Sequence, residues 1–121
     1  MQGACDYTII HQGKLQTGPS QALDNAIAFT IGSNAVVDVH SLLTFTIGVD
    51  GGPVDITIMV NESAVAHYHL NDGYFSTLVK VIAGGVLQHG TNHIRFKLAA
   101  QNVTSLFIED VALWWFKSNL E

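Results

Sequence analysis

Apolar and polar residues alternate with a period of two over most of this chain, the spacing of β-strands that bury one face. Over residues 42–49, Leu43, Phe45, Ile47 and Val49 fall on one side and Leu42, Thr44, Thr46 and Gly48 on the other, so the first set is expected in the core. Residues 54–60 repeat the pattern, with Val54, Ile56, Ile58 and Val60 set against Asp55, Thr57 and Met59. Further extended runs are expected over residues 7–11, 26–31, 36–40, 64–70, 74–82 and 93–98. A long aromatic strand closes the chain through Trp114, Trp115 and Phe116.

Breaks between these runs carry turn chemistry, because glycine accepts positive φ, proline pre-sets a bend, and Asn or Asp can bond its own backbone. They fall at Gln12-Gly13-Lys14, Thr17-Gly18-Pro19-Ser20, Gly32-Ser33-Asn34, Asp50-Gly51-Gly52-Pro53, Asn61-Glu62-Ser63, Asn71-Asp72-Gly73 and the longer loop 83–92. One helical turn, capped by Ser20, is expected over residues 21–25. About eight short strands without helical periodicity predict an all-β protein, an antiparallel β-sandwich of jelly-roll type, with residues 1–121 forming a single domain.

The closing strand changes parity. Leu106 and Ile108 share one side while Val111, Leu113 and Trp115 share the other, across Glu109-Asp110. Two readings stay open: a β-bulge that returns both sets to the core, or a strand apolar on both faces because a partner covers its outer side. In either case Trp114 and Trp115 point apart, and only one can be core.

Composition adds a surface argument. Charged residues make up 12% of the 121-residue chain and hydrophobic ones 48%, against a usual charged share of roughly 25%. So few charges predict an apolar surface covered by another copy, a homo-oligomer. Ten acidic against five basic residues, net −5, disfavour nucleic acid as a partner. No membrane span and no signal peptide are visible, which leaves localisation open. Cys5, the single cysteine, reads as an inert small residue.

Three pieces resemble the galactose-binding-domain-like jelly rolls, the β-sandwich of many carbohydrate-binding modules. They are the strand Ile56-Thr57-Ile58-Met59-Val60-Asn61, the segment from Val86 through Gln88, Gly90 and Asn92 to Phe96, and the closing Ile108-Glu109-Asp110-Val111-Ala112-Leu113-Trp114. The resemblance implies that fold, a carbohydrate ligand, and a structural calcium with an acid on the last strand, which would be Glu109 or Asp110. The sequence lacks the dense acidic loop of a calcium cage. The family's sugar-binding residues match no motif here.

Among candidate groups, His67 and His69 project from one face of a strand and could hold a metal with a third ligand such as His89, His93 or Asp72. The pair echoes the first motif of cupins, but no glutamate follows it at the required distance. The apolar parity of Ala64, Ala66, Tyr68 and Leu70 places both histidines outside. Adjacent Glu109 and Asp110 point apart on a regular strand and cannot flank one bond. No Gly-x-Ser-x-Gly frame or phosphate loop is present, so no enzyme is expected. Exposed aromatic rings can stack on sugars, and Trp114, Tyr68 and Tyr74 are the rings considered for that role. The reading is a noncatalytic binding or assembly module that self-associates, with carbohydrate as ligand class. The alternatives are a structural oligomer subunit of a viral or surface assembly and a cupin-like metal-dependent enzyme.

Overall fold

The structure is a computed structural model that describes residues 3–16, 26–51, 53–98 and 105–118. Among the described residues eight strands run in chain order: β1 (Gly3–Gln16), β2 (Ile27–Ile31), β3 (Ser41–Asp50), β4 (Val54–Val60), β5 (Ser63–Leu70), β6 (Phe75–Ile82), β7 (Gly90–Leu98) and β8 (Ser105–Ser118). They form two four-stranded sheets, ordered β1-β8-β3-β6 and β2-β7-β4-β5, with every pairing antiparallel. Only β4 and β5 are joined within one sheet; every other connection crosses to the opposite sheet, the winding of a jelly roll. The helical turn expected over residues 21–25, with its cap and the break before it, lies outside the described residues.

Alternation placed the core correctly. Leu43, Phe45 and Ile47 of β3 and Val54, Ile56, Ile58 and Val60 of β4 are buried, facing each other between the sheets. Phe45 and Phe96 meet edge to face at 6.0 Å across that space, a favoured geometry for aromatic pairs. The β4–β5 hairpin closes on Asn61 and Glu62, both at positive φ (50° and 66°), as a two-residue turn with right-handed strand twist requires.

The parity change in β8 is a bulge. Between the pairs Thr44↔Ala112 and Thr46↔Glu109, β8 advances one residue more than β3, and Asp110 takes φ 57°. Leu106, Ile108, Val111, Leu113 and Trp115 are all buried as a result. Trp115 is therefore the core tryptophan, its indole Nε1 donating to Thr8 Oγ1 at 3.2 Å, while Trp114 faces out.

Two expectations about extended segments need correction. Residues 12–14 do not turn the chain: β1 continues through them to Gln16, with register shifts against β8 at Ile9/His11 and His11/Lys14 and Gly13 at φ 89°. A glycine at positive φ absorbs a bulge as readily as a reversal. Residues 36–40 are a loop rather than a strand. Their backbone is held by other chain segments: Val36 N–H donates to Phe116 O at 2.8 Å and Gly85 N–H to Val37 O at 2.8 Å. Gly84 allows this approach, because a Cβ there would stand 2.3 Å from Asp38 O.

A pair of amides, Asn92 buried and Asn61 half-buried, ties the 83–92 loop to the hairpin. Asn92, fully buried, accepts from Gln88 N–H at 2.9 Å, donates to Gln88 O at 2.9 Å, and accepts from Asn61 Nδ2 at 2.7 Å. Asn61 in turn donates to Val86 O and accepts from His93 N–H, both at 2.9 Å. Two of the segments singled out in the sequence, one ending at Asn61 and one containing Asn92, thus meet in space.

Removing the Asn92 amide orphans several polar groups at once, each worth about 1–3 kcal/mol when left unsatisfied. Asn92→Ala should lower unfolding stability by at least about 2 kcal/mol in urea titration. At the β8 bulge, Asp110→Val should cost about 1–2 kcal/mol because a β-branched side chain resists left-handed backbone. Asp110→Gly should stay within about 1 kcal/mol of the parent by the same assay.

Candidate binding surfaces

The outer faces of the two sheets differ in kind. Every exposed large apolar side chain among the described residues except Val39 lies on the outer face of β1-β8-β3-β6: Tyr7, Ile9, Leu42, Phe75, Val79, Val81, Trp114 and Phe116. Cross-strand register sets most of them in two rows, Tyr7–Trp114–Leu42–Val81 and Ile9–Ala112–Thr44–Val79. Tyr7 packs beside Trp114 with ring centroids 5.0 Å apart, and Trp114 Nε1 donates to Thr44 Oγ1 at 3.3 Å. Both rings are held in place while Trp114 stays 42% exposed.

Further along the same face lies a cleft of about 360 Å³ lined by Lys14, Gly48, Val49, Asp50, Gly73, Tyr74, Phe75 and Phe107. Its floor follows from Gly48: a Cβ there would stand 2.3 Å from the Phe107 ring, so the missing side chain lets that ring lie on the sheet. Phe75 leans toward it with centroids 5.8 Å apart and planes at 57°. Lys14 Nζ sits 4.5 Å from the Phe107 centroid, a cation–π distance. Backbone bonds close one end, with Val49 N–H donating to Tyr74 O at 2.8 Å and Gly73 N–H to Val49 O at 3.0 Å. The Asp50 carboxylate has no ion-pair partner among the described residues.

The three rings considered from the sequence go to three different places. Trp114 joins the apolar rows, and Tyr74 lines the cleft. Tyr68 turns inward, packs edge to face on Phe45 at 6.4 Å and is half-buried. Sequence reading missed Lys14, Phe75 and Phe107. The signal for Phe107 was faint: an aromatic on the outward parity of β8 facing a glycine on the outward parity of β3.

His67 and His69 do lie on the outer face of β2-β7-β4-β5, and a bulge puts them there. β4 and β5 pair Ile58↔Ala66 and then Met59↔Ala64, so Val65 is the extra residue. Without it, the hairpin register would turn both histidines toward the core. The same bulge leaves Ala64 exposed, against its expected place with Ala66, Tyr68 and Leu70. His69 Nδ1 meets Asp55 Oδ1 at 2.7 Å, and His67 Nδ1 meets Thr57 Oγ1 at 3.0 Å with its Nε2 3.9 Å from the same Asp55 oxygen. The companions expected for them are elsewhere. His89 bonds Ala35 O at 2.8 Å, Asp72 accepts from Gly51 N–H at 2.7 Å, and His93 sits on β7 opposite Ala28. Among the described residues no group of three or more His, Cys, Asp or Glu is arranged to hold a metal ion.

The two acids on β8 that the family resemblance offers to a calcium sit at the bulge. Asp110 bends back to accept from Gly13 N–H at 3.4 Å, closing the bulges of β1 and β8 on each other. Glu109 stands opposite Lys14 and Thr46, and among the described residues no further carboxylate joins them in a metal-holding group.

Burial, and then the neighbouring Tyr74, push the Tyr68 phenol above its ordinary value of 10.0. As pH rises the unfolded chain gives up this proton first, so the contribution is whole below about pH 10 and is lost as pH climbs through the raised folded value. Urea midpoints compared at about pH 9 and pH 11 should fall less for Tyr68→Phe than for the parent.

No protein-family model matches the chain, and no curated protein matches it. Among solved structures it is similar to the carbohydrate-binding module CBM36 in complex with calcium and xylotriose, with TM-score 0.46, 8% identity, and coverage of 97% of this chain and 100% of that one. A family 35 carbohydrate binding module from an environmental isolate gives TM-score 0.47 at 16% identity, over 98% of this chain and 86% of that one. The structure of infectious bursal disease virus Gx strain gives 0.41 at 10%, over 99% of this chain and 38% of that one. These are distant likenesses of fold, and they assign no ligand or partner.

Proposed function

We propose that the protein is a noncatalytic binding module that takes a carbohydrate in the cleft beside Phe107. The supporting observation is the exposed Phe75 ring tilted toward Phe107, which lies over Gly48 with the Lys14 ammonium over its ring. A sugar ring presents an apolar C–H face and a rim of hydroxyls. Aromatic walls match the face, while an ammonium donates to the rim and a carboxylate accepts from it.

Other ligand classes fit less well. Lys14 and Asp50 carry opposite charges within one cleft, so neither a polyanion nor a cation gains a net field. The volume, about 360 Å³, lies in the range of roughly 300–1,000 Å³ usual for small-molecule sites. The ligand is therefore neutral and about the size of one or two sugar units.

Titration of the protein with neutral xylo-, cello-, manno- and galacto-oligosaccharides, followed by NMR shifts and calorimetry, tests this. Binding to at least one series is expected, with perturbed amides clustered at residues 14, 48–50, 73–75 and 107. Phe75→Ser, a change at an exposed position, and Lys14→Met should each weaken binding about tenfold, equivalent to 1.4 kcal/mol. Absence of any shift up to about 10 mM sugar, a concentration that would reveal millimolar affinity, would overturn the reading. So would binding indifferent to both substitutions.

A further inference from the structure

We propose that the uncharged rows on the outer face of β1-β8-β3-β6 are a two-fold self-docking surface, occupied by a second copy of this chain. The surface is centred on Trp114 and Leu42 and flanked by Tyr7, Ile9, Val79 and Val81. It lies at the opposite end of the face from the Phe107 cleft, and stands whether or not that cleft takes a sugar.

Charge points to a second copy. Each chain carries a formal −5, so two copies repel unless they meet where neither holds a carboxylate. Neither the Tyr7–Trp114–Leu42–Val81 row nor the Ile9–Ala112–Thr44–Val79 row contains a charged side chain. In an isologous contact the same patch meets itself, and these rows do so without opposing like charges. A charged peptide or nucleic acid would find no counter-charge there. An anionic lipid surface would be repelled by the net charge.

The area sets the strength. From a strand spacing of about 4.8 Å and a rise of about 3.3 Å per residue, the two rows and the threonine row beside them cover roughly 20 by 20 Å, so a pair would bury about 800 Å². That is the size of a weak, transient contact, below the roughly 1,000 Å² of a stable interface. The dimer is therefore reversible, and its population follows protein concentration.

Sedimentation velocity of the full chain from about 1 to 500 μM, a range spanning weak protein association, reads this directly. The parent should move from monomer toward dimer over that range. Val79→Lys and Val81→Lys, both at exposed positions, should each raise the dissociation constant at least about tenfold while leaving the circular dichroism spectrum unchanged. His67→Ala, on the other sheet, should leave dimerisation as in the parent. A parent monomeric at every concentration would overturn the proposal, as would a dimer insensitive to both lysines. Cosedimentation with phosphatidylcholine and phosphatidylglycerol vesicles, lost in Val79→Lys and without any dimer, would overturn it in favour of a lipid partner. Because Val79 and Val81 lie outside the cleft, both lysine variants should retain any oligosaccharide binding, so the two readings can fail separately.

Discussion

A single left-handed residue, Asp110, governs what this sandwich buries and what it shows. β8 lies between β1 and β3, so its inward side chains are central to the core. Without the bulge, one half of the strand would send its apolar set outward. With it, Leu106, Ile108, Val111 and Leu113 are all fully buried, at about 1.5–3 kcal/mol each. The left-handed turn costs only about 1–2 kcal/mol. Burial wins by a wide margin, and the bond from Gly13 N–H to Asp110 links the irregularity to the matching one in β1.

The same bulge decides the outer face. On its two sides it sends Phe107 and Trp114 outward, one toward Gly48 and the other toward Leu42. The cleft and the apolar rows are thus two products of one backbone event, separated by the polar belt of Glu109, Thr46 and Thr77. Thr46 and Thr77 bond each other at 2.8 Å across that belt.

The opposite sheet shows no exposed large apolar side chain among the described residues. Its outer face holds Asp55, His67, His69, Arg95 and Lys97 in neighbouring positions of β4, β5 and β7. Exposed pairs such as His69 with Asp55 contribute at most about 1 kcal/mol to stability. Their effect is instead to make that side of the sandwich hydrophilic. The exposed apolar side chains are unequally distributed between the two faces, which composition alone could not reveal.

Local periodicity determined much by itself. Most strands and their inward residues, most turns, the jelly-roll class, the outward histidines and the opposed tryptophans were legible, because side-chain direction along a strand follows from the alternation of its neighbours. The β8 bulge was legible as one of two readings, for the same reason. Tertiary structure alone decided that residues 12–14 continue a strand, that residues 36–40 form a loop, and that Asp55 is the partner of His69. It also brought Lys14, Gly48, Phe75 and Phe107 together from four strands. Those outcomes depend on register between segments distant in the chain, and a one-residue bulge in either strand resets which residues meet.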